Sequence, residues 1–401
     1  MKNDKNIQCE FIPKELLQEL SKAGGGLVIG IPCERIPNER RVMLTPEAVD
    51  MLVECGHRVL LETNAGIGIN YGDNYYAEAG AEIVSSGREV YQADLILKVL
   101  PPTPEEILMM RPRSVVFSFM QFDFFSREAY EMMMYKKITA FAYELICDYT
   151  GTSPIRTAIS EIEGAASITV ASELLSNAHG GKGILLGGIP GVPPTEVVII
   201  GAGNTGTVAA RAALALGALV KVFDNDIHRL RMIQQRLNQG VFTSTFHPNV
   251  LKNAFLSADV VIGANNYINV SHRYLIAKQL IRDMKRGAII IDLRISQGGC
   301  FETTCAVDTD SSFCFEQYGV LHYCRPNISN LVARTASMAL SNLCVPQLLS
   351  IGDAGNMVAK LKSDPGFKNG AYLYCGKPVN DYVSSQFNIR SNNIDIYLVA
   401  F

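Results

Sequence analysis

The sequence predicts an α/β protein made of two doubly wound, parallel-sheet units. Three observations predict it. From Leu27 onward, short β-rich runs alternate with helical stretches, the pattern of βαβ units. A second and cleaner series of the same kind begins at EVVIIGAGNTG, and its runs VVII, VVIGA and IIID are apolar throughout, as strands covered on both faces are. The chain has 401 residues, which asks for two or three folded units at about 150 residues each.

In the first series, LVIGIP is followed by a helix starting at Thr45, with Pro46 at its first position and Glu47 in its first turn. HRVLLET, a polar segment, DLILKVL, SVVFSF and TAFAYEL follow as further strands. A long helical pattern from about Thr157 to Ser176 leads into the glycine-rich hinge HGGKGILLGGIPGVPP, where the chain crosses between units. The second series runs EVVII, ALVKVF, ADVVIGA, GAIIIDL and GVLHYC. After the loop RPNISN, an apolar helix from about Leu331 to Leu349 is expected to pack back on the first unit. Residues 1–25 read as an extra helix and a flexible AGGG run.

Composition narrows the function. With 48% hydrophobic and 19% charged residues the chain has the apolar content of a folded core, and a net charge of −3 without a basic tract argues against nucleic acid or an anionic membrane as partner. Ten cysteines without a CxxC pair, and six histidines without ligand spacing, predict neither a disulfide framework nor a metal site. No apolar run reaches membrane-spanning length and the first residues lack a signal-peptide core, so the expected location is the cytoplasm.

One motif carries chemistry. Gly201-Ala202-Gly203-Asn204-Thr205-Gly206 lies between the strand VVII and a helical stretch, and Asp224 stands 18 residues beyond Gly206 at the end of the next strand. The first glycine permits the tight turn, the second admits a pyrophosphate to the backbone, and the third lets helix and strand approach. The helix N-terminus adds free N–H donors for the phosphates. A carboxylate at 224 accepts hydrogen bonds from a ribose 2′-hydroxyl and repels a 2′-phosphate, so the expected cofactor is NAD rather than NADP. The motif makes the second unit a Rossmann-like one.

Four stretches together carry a family resemblance: VIGIPCERIPNERRVMLTPEAV, GKGILLGGIPGVPPTEVVIIGAGNTG, GAIIIDLRISQGGC and HYCRPNISNLVARTASMALSN. The chain resembles the alanine dehydrogenase and NAD(P) transhydrogenase α-subunit family, on the alanine dehydrogenase side, because the long insertion of the transhydrogenase nucleotide domain is missing. The resemblance implies two Rossmann-like doubly wound domains, with a substrate domain discontinuous in sequence, residues 1–155 and 334–401, around an NAD-binding domain, 156–333. It implies NAD-linked oxidative deamination of a small L-amino acid, reversible as reductive amination of a 2-oxo acid, in a homo-oligomer, most plausibly a hexamer.

Carried over residue by residue, the resemblance gives Arg41 the substrate-carboxylate clamp. Ser160 is expected at the cofactor phosphates, beside Gly201, Gly203, Asn204, Thr205, Gly206 and Asp224, and Asn327 near the nicotinamide amide or the substrate. Glu144, Glu161, Asp292 and Gln297 also stand at positions the family keeps. At three positions the chain departs from the pattern. Leu100 replaces the second carboxylate-binding lysine, Gln121 the catalytic histidine and Ser296 the catalytic aspartate; neither glutamine nor serine is a base near neutral pH. Arg294 and Arg325 carry charge just past strand ends and are candidates for a rebuilt carboxylate clamp. Asn265, Asn266, Tyr267, Ile268 and Asn269 replace an apolar cofactor loop. His322 and Tyr143 are candidate substitute bases. Two readings follow: an alanine dehydrogenase-like enzyme with a diverged site, slow on alanine itself, or an NAD-binding pseudoenzyme or sensor.

Overall fold

The computed structural model describes residues 26–237, 240–265, 275–304 and 314–399. The extra helix expected in 1–25, and Asn266, Tyr267, Ile268 and Asn269 of the substituted loop, lie outside the described residues.

Two open sheets organise the chain. In the first, β1 (Val28–Ile31), β2 (Arg58–Glu62), β3 (Glu82–Val84), β4 (Leu95–Leu97), β5 (Val115–Ser118) and β6 (Thr139–Ala142) are mutually parallel in the order β3-β2-β1-β4-β5-β6. The second contains β7 (Glu196–Ile200), β8 (Leu219–Phe223), β9 (Phe242–Ser244), β10 (Val260–Gly263), β11 (Ile289–Asp292), β12 (Cys314–Gln317) and β13 (Val320–Tyr323), in the order β12-β13-β11-β10-β7-β8-β9. There only β12 runs antiparallel. Each sheet reverses its strand order beside its first strand, and ligands of open α/β sheets enter at that switch point, beyond the carboxyl ends of the strands.

The chain returns to the first sheet at its far end. β14 (Ala371–Tyr374) pairs antiparallel with β6, and β15 (Lys377–Pro378) pairs antiparallel with β14. Sequence reading missed this hairpin because Cys375, with φ +47, holds the first left-handed position of its tight turn before Gly376, a place where asparagine or aspartate is the usual signal. It also missed β3, β9 and β12: the first two are three-residue edge strands with polar positions, and β12 is a partly exposed edge strand.

Helix Ala333–Asp353 carries the chain back. Leu340, Cys344, Val345, Leu348 and Ile351 are buried in the same core as Ile29, Val49 and Leu97 of the first unit. Much of its apolar character is thus buried inside its own chain, while Leu331 and Val332 just before it and Met338 on it remain exposed. A polar seam fixes it against the segment after β1. Arg40 N–H donates to Asn330 Oδ1 (2.9 Å), Val42 N–H to Ser337 Oγ (2.9 Å) and Thr45 N–H to Ser341 Oγ (2.8 Å). Ser337 and Ser341 are one helical turn apart, so one helix face satisfies two buried backbone donors that no strand pairs.

At the end of β4, Lys98 is 1% exposed and donates to Glu34 Oε2 (3.0 Å) and Glu106 Oε1 (2.9 Å). Glu34 Oε1 accepts from Val99 N–H and Glu106 Oε2 from Thr103 N–H, closing the capping box of helix Pro104–Met109. Removing the ammonium strands two buried carboxylates, and breaking such a cluster costs about 3–5 kcal/mol. Lys98→Met is therefore expected to lower the urea midpoint of the unit containing β1–β6 strongly. An unchanged midpoint would refute the cluster's structural role.

Candidate functional site

The carboxyl ends of the two sheets face a common cleft. On the nucleotide-type side, Gly201 has φ +111, and a Cβ there would lie 2.8 Å from the backbone of Asn265, so only glycine makes this turn. A Cβ on Gly206 would lie 1.9 Å from the Gly201 carbonyl oxygen, which places the helix Asn204–Ala215 directly against the turn. A Cβ on Gly203 would meet nothing within 4 Å. Space thus lies open over the middle glycine, beside the uncapped first amides of a twelve-residue helix. This is the form a pyrophosphate requires, so the residues fit the expected NAD.

Asp224 is fully buried. Its Oδ2 accepts from Ala202 N–H and its Oδ1 from Asp226 N–H, each at 2.8 Å, so it pins the glycine turn to the end of β8. Asn204 reaches Thr157 Oγ1 and accepts from Arg236, while Thr205 Oγ1 accepts from Arg294 Nη2 at 2.9 Å.

The long helix Pro154–Leu175 forms the roof. Gly164 lies so close to the Thr205 carbonyl oxygen that a Cβ would sit 2.4 Å from it. The preceding turns of this helix present Arg156, Ser160 and Glu163 to two adjoining cavities. One, of about 220 Å³, is lined by Gly203, Asn204, Thr205, Ala264, Thr157 and Cys147 among others. The other, of about 390 Å³, is lined by Phe119, Gln121, Glu163, Arg294, Asn380 and Tyr382 among others. Glu144, Leu145, Arg156 and Ser160 line both, so the cavities form one continuous cleft.

Several sequence-designated residues meet here. Gln121 and Asn327, 206 positions apart, form a reciprocal amide pair across the cleft: Gln121 Nε2 donates to Asn327 Oδ1, and Asn327 Nδ2 donates to Gln121 Oε1 at 2.9 Å. Asn327 sits at φ +58, a conformation asparagine tolerates. Ser296, on the turn Ile295–Gln297, interacts with Asp123, which follows Gln121 on the turn Phe122–Phe124. Burial raises the Asp123 carboxyl and the Ser296 hydroxyl opposes that shift. Arg294 lines the larger cavity with its guanidinium 3.7 Å from Glu163.

Other designated residues are engaged elsewhere. Arg41 is 3% exposed; Nε and Nη2 clasp both oxygens of Glu39 (2.8 and 2.7 Å), and Nη1 reaches Ser329 Oγ. Leu100 is buried in the core of the first unit. Arg325 interacts with Tyr323 and is absent from the lining of both cavities. The candidate bases His322 and Tyr143 are corrected. His322 is buried with Nε2 on Thr303 Oγ1 (2.8 Å) and Nδ1 on the Val320 carbonyl, stacked on Phe315; burial depresses its pKa. Tyr143 is packed against Phe117 and Phe119, and burial pushes its phenol well above its usual range.

Arg156, Glu163, Asp123, Asn380 and Tyr382 escaped sequence reading as site residues. The first was missed because the helix expected from about Thr157 in fact starts at Pro154, with Ser153 as its N-cap, which brings Arg156 into its first turn. Asn380 and Tyr382 arrive through the returning C-terminal hairpin, which no local pattern reveals. Among the described residues, no group of three His, Cys, Asp or Glu is arranged to hold a metal, and no helix is long and apolar enough to cross a membrane.

Comparison with known proteins agrees across most of the chain. The family model for the N-terminal domain of alanine dehydrogenase/PNT matches residues 30–162 and that for its C-terminal domain matches 167–381. Alanine dehydrogenase 2 of Staphylococcus aureus is 36% identical over 367 residues, 92% of this chain and 98% of that protein. Among solved structures, an L-alanine dehydrogenase superposes with a TM-score of 0.83 at 34% identity, covering 90% of this chain and 99% of its own. A transhydrogenase from Sinorhizobium meliloti shares the fold, with a TM-score of 0.73 at 24% identity, 88% of this chain and 99% of its own.

The glycine geometry separates folding from binding. Gly203→Ala has room for its methyl group and is expected to melt like wild type while losing NADH affinity at least tenfold, read by NADH fluorescence. Gly206→Ala is expected to melt several degrees lower because its methyl group collides with backbone. Equal NADH affinity of Gly203→Ala and wild type would show that no dinucleotide approaches there.

Proposed function

The chain belongs to the alanine dehydrogenase/PNT family, and from that premise we propose that it is an NAD-dependent oxidoreductase of alanine dehydrogenase type. Its reaction is the oxidative deamination of a small L-amino acid and, in reverse, the reductive amination of a 2-oxo acid. The observation that carries this reading is the continuous cleft, in which a dinucleotide-type glycine turn opens onto a cavity lined by two guanidiniums and two carboxylates.

Residues 156–333 form the NAD-binding domain, and 1–155 with 334–401 form the substrate domain. Gly201, Gly203, Asn204, Thr205 and Gly206 hold the phosphates with Ser160, and Asp224 meets the ribose while holding the turn. When bound, NAD supplies the hydride acceptor. Gln121 and Asn327, tied to each other, fix the distance between the two cleft walls and offer amide groups to substrate or nicotinamide. Arg294 braces Thr205 and faces the cavity, while Arg41 and Arg325 organise the neighbouring seam and strand end. The reducing cytoplasm is the location that suits the unpaired cysteines among the described residues.

A dinucleotide-binding protein without turnover is the second reading, favoured by the locked Gln121 amide and the absence of a histidine–aspartate relay. Steady-state NADH formation with a panel of small L-amino acids decides between them; turnover with none of them would leave the second reading standing.

Two further outcomes are expected. Calorimetry should give tighter binding of NADH than NADPH by about 5- to 150-fold, the equivalent of about 1–3 kcal/mol for the buried Asp224 charge acting on a nearby 2′-phosphate. Asp224→Ala should narrow that gap and weaken NADH itself, since the Ala202 amide loses its acceptor. Assembly as a hexamer rests on the family resemblance alone, and light scattering at micromolar concentration should return an oligomer; a monomer mass would refute it.

A further inference from the structure

Glu144 follows β6 on the short turn Tyr143–Leu145 and lines both halves of the cleft. Its Oε1 accepts the Met120 N–H at 2.7 Å, one residue before Gln121. Its Oε2 is shut off from solvent and meets no hydrogen-bond partner among the described residues. A buried carboxylate oxygen without a donor is costly and uncommon. Arg156, an exposed residue that also lines both cavities, has no hydrogen-bond or ion-pair partner for its guanidinium among the described residues, and its charge acts on Glu144. The two expected clamp positions, by contrast, are spent: Arg41 on Glu39 and Ser329, and Leu100 on the apolar core.

The geometry points to Arg156 and Glu144 as the amino-acid clamp of this cleft, the guanidinium taking the substrate carboxylate and Glu144 Oε2 taking a proton from the substrate ammonium. The inference rests on the dehydrogenase reading and deepens it. A zwitterionic amino acid supplies an anion for the unpartnered cation and N–H donors for the unpartnered oxygen. In the oxidative direction Glu144 accepts one ammonium proton and leaves the step as the neutral acid. The N–H electron pair stays on nitrogen and forms the C=N bond as the Cα–H pair departs as hydride to NAD. The resulting iminium, C=NH2⁺, then adds water and yields the 2-oxo acid and ammonium.

The charge environment suits that role. Burial raises the Glu144 carboxyl to about 7, against hydrogen bonds from backbone amides and the Arg156 charge. The other titratable groups acting with it are Tyr143 on its own turn, Tyr372 on β14 and Tyr382 after β15, all phenols that burial pushes upward. Those phenols stay neutral near pH 7. Glu163, which lines the same cavity, shares the Arg156 charge and is also raised by burial, is the other carboxyl there, and Glu163→Gln serves as the control.

The test begins with wild-type kinetics for an L-amino acid that the chain oxidises with NAD. In wild type, kcat/KM should rise with pH through about 7. Glu144→Gln, which keeps the acceptor for Met120 N–H, should lose that limb and about 10² to 10⁴-fold in kcat. Arg156→Leu should raise the amino-acid KM about 10- to 100-fold and weaken pyruvate binding to the protein–NADH complex by a similar factor, leaving the KM for NAD unchanged. A second readout needs no turnover. A carboxyl at about 7 folded and 4.5 unfolded binds more protons when folded, so wild-type stability should fall relative to Glu144→Gln as pH rises from 4.5 to 7 and then level off.

A limb that survives in Glu144→Gln, or disappears in Asp123→Asn instead, overturns the proposal and leaves the dehydrogenase reading intact. An Arg156→Leu effect confined to NAD assigns that guanidinium to the dinucleotide phosphates and overturns its half. A wild type that binds NADH and oxidises no amino acid overturns both.

Discussion

Gly164 is where the long helix Pro154–Leu175 meets the glycine turn of the second sheet, and its lack of a side chain lets the helix come within a Cβ of the Thr205 carbonyl. The cleft depends on that approach. Glu163 beside it, and Ser160 and Arg156 one and two turns upstream on the same helix, are carried over the turn at a distance set by the helix itself. The helix begins beside the first sheet and ends in the core of the second, where Ala171 and Leu175 are buried. It therefore registers one strand system against the other. A bulkier residue at 164 would displace the dinucleotide turn and the cavity together, because both are built on one rigid rod.

The polar seam supplies the second constraint, at right angles in function to the first. Where the helix contact sets the height of the cleft, the amides of residues 40–45 on Ser337 and Ser341, and Arg41 on Ser329, set the position of the segment that closes its side. Neutral hydroxyl acceptors satisfy the buried Val42 and Thr45 amides there, and the one charged pair of the seam, Arg41 with Glu39, is closed on itself.

Most strands were legible because a doubly wound sheet writes itself as apolar runs: VVII, VVIG and IIID became β7, β10 and β11, buried at every position after the first residue of β7. The glycine turn was legible for a different reason, since its backbone demands leave no alternative residue at Gly201 and Gly206. The edge strands β3 and β9 and the returning hairpin were not, because pairing rather than composition makes them strands. The site divides in the same way. Gln121, Ser296 and Asn327 were singled out by their place in family stretches; Gln121 lines the cleft, Asn327 pairs with it, and Ser296 meets Asp123 beside it. That Gln121 would be bound to Asn327, that His322 would be sealed against Thr303, and that Glu144 would keep an oxygen without a donor are facts of side-chain direction, set by tertiary packing that no local pattern reveals.

The pairing of β14 with β6 has a consequence for synthesis. β6 is complete when residue 142 has been made, yet its outer edge finds its partner only when 371–374 emerge, more than half the chain later. In the interval the whole second sheet is translated and has every strand it needs. An unpaired edge lined by Thr139, Ala140 and Phe141 thus stands open on a nascent chain beside an already foldable neighbour, the circumstance in which strands recruit foreign partners. The nascent chain, rather than the finished protein, is where this topology is most exposed to error.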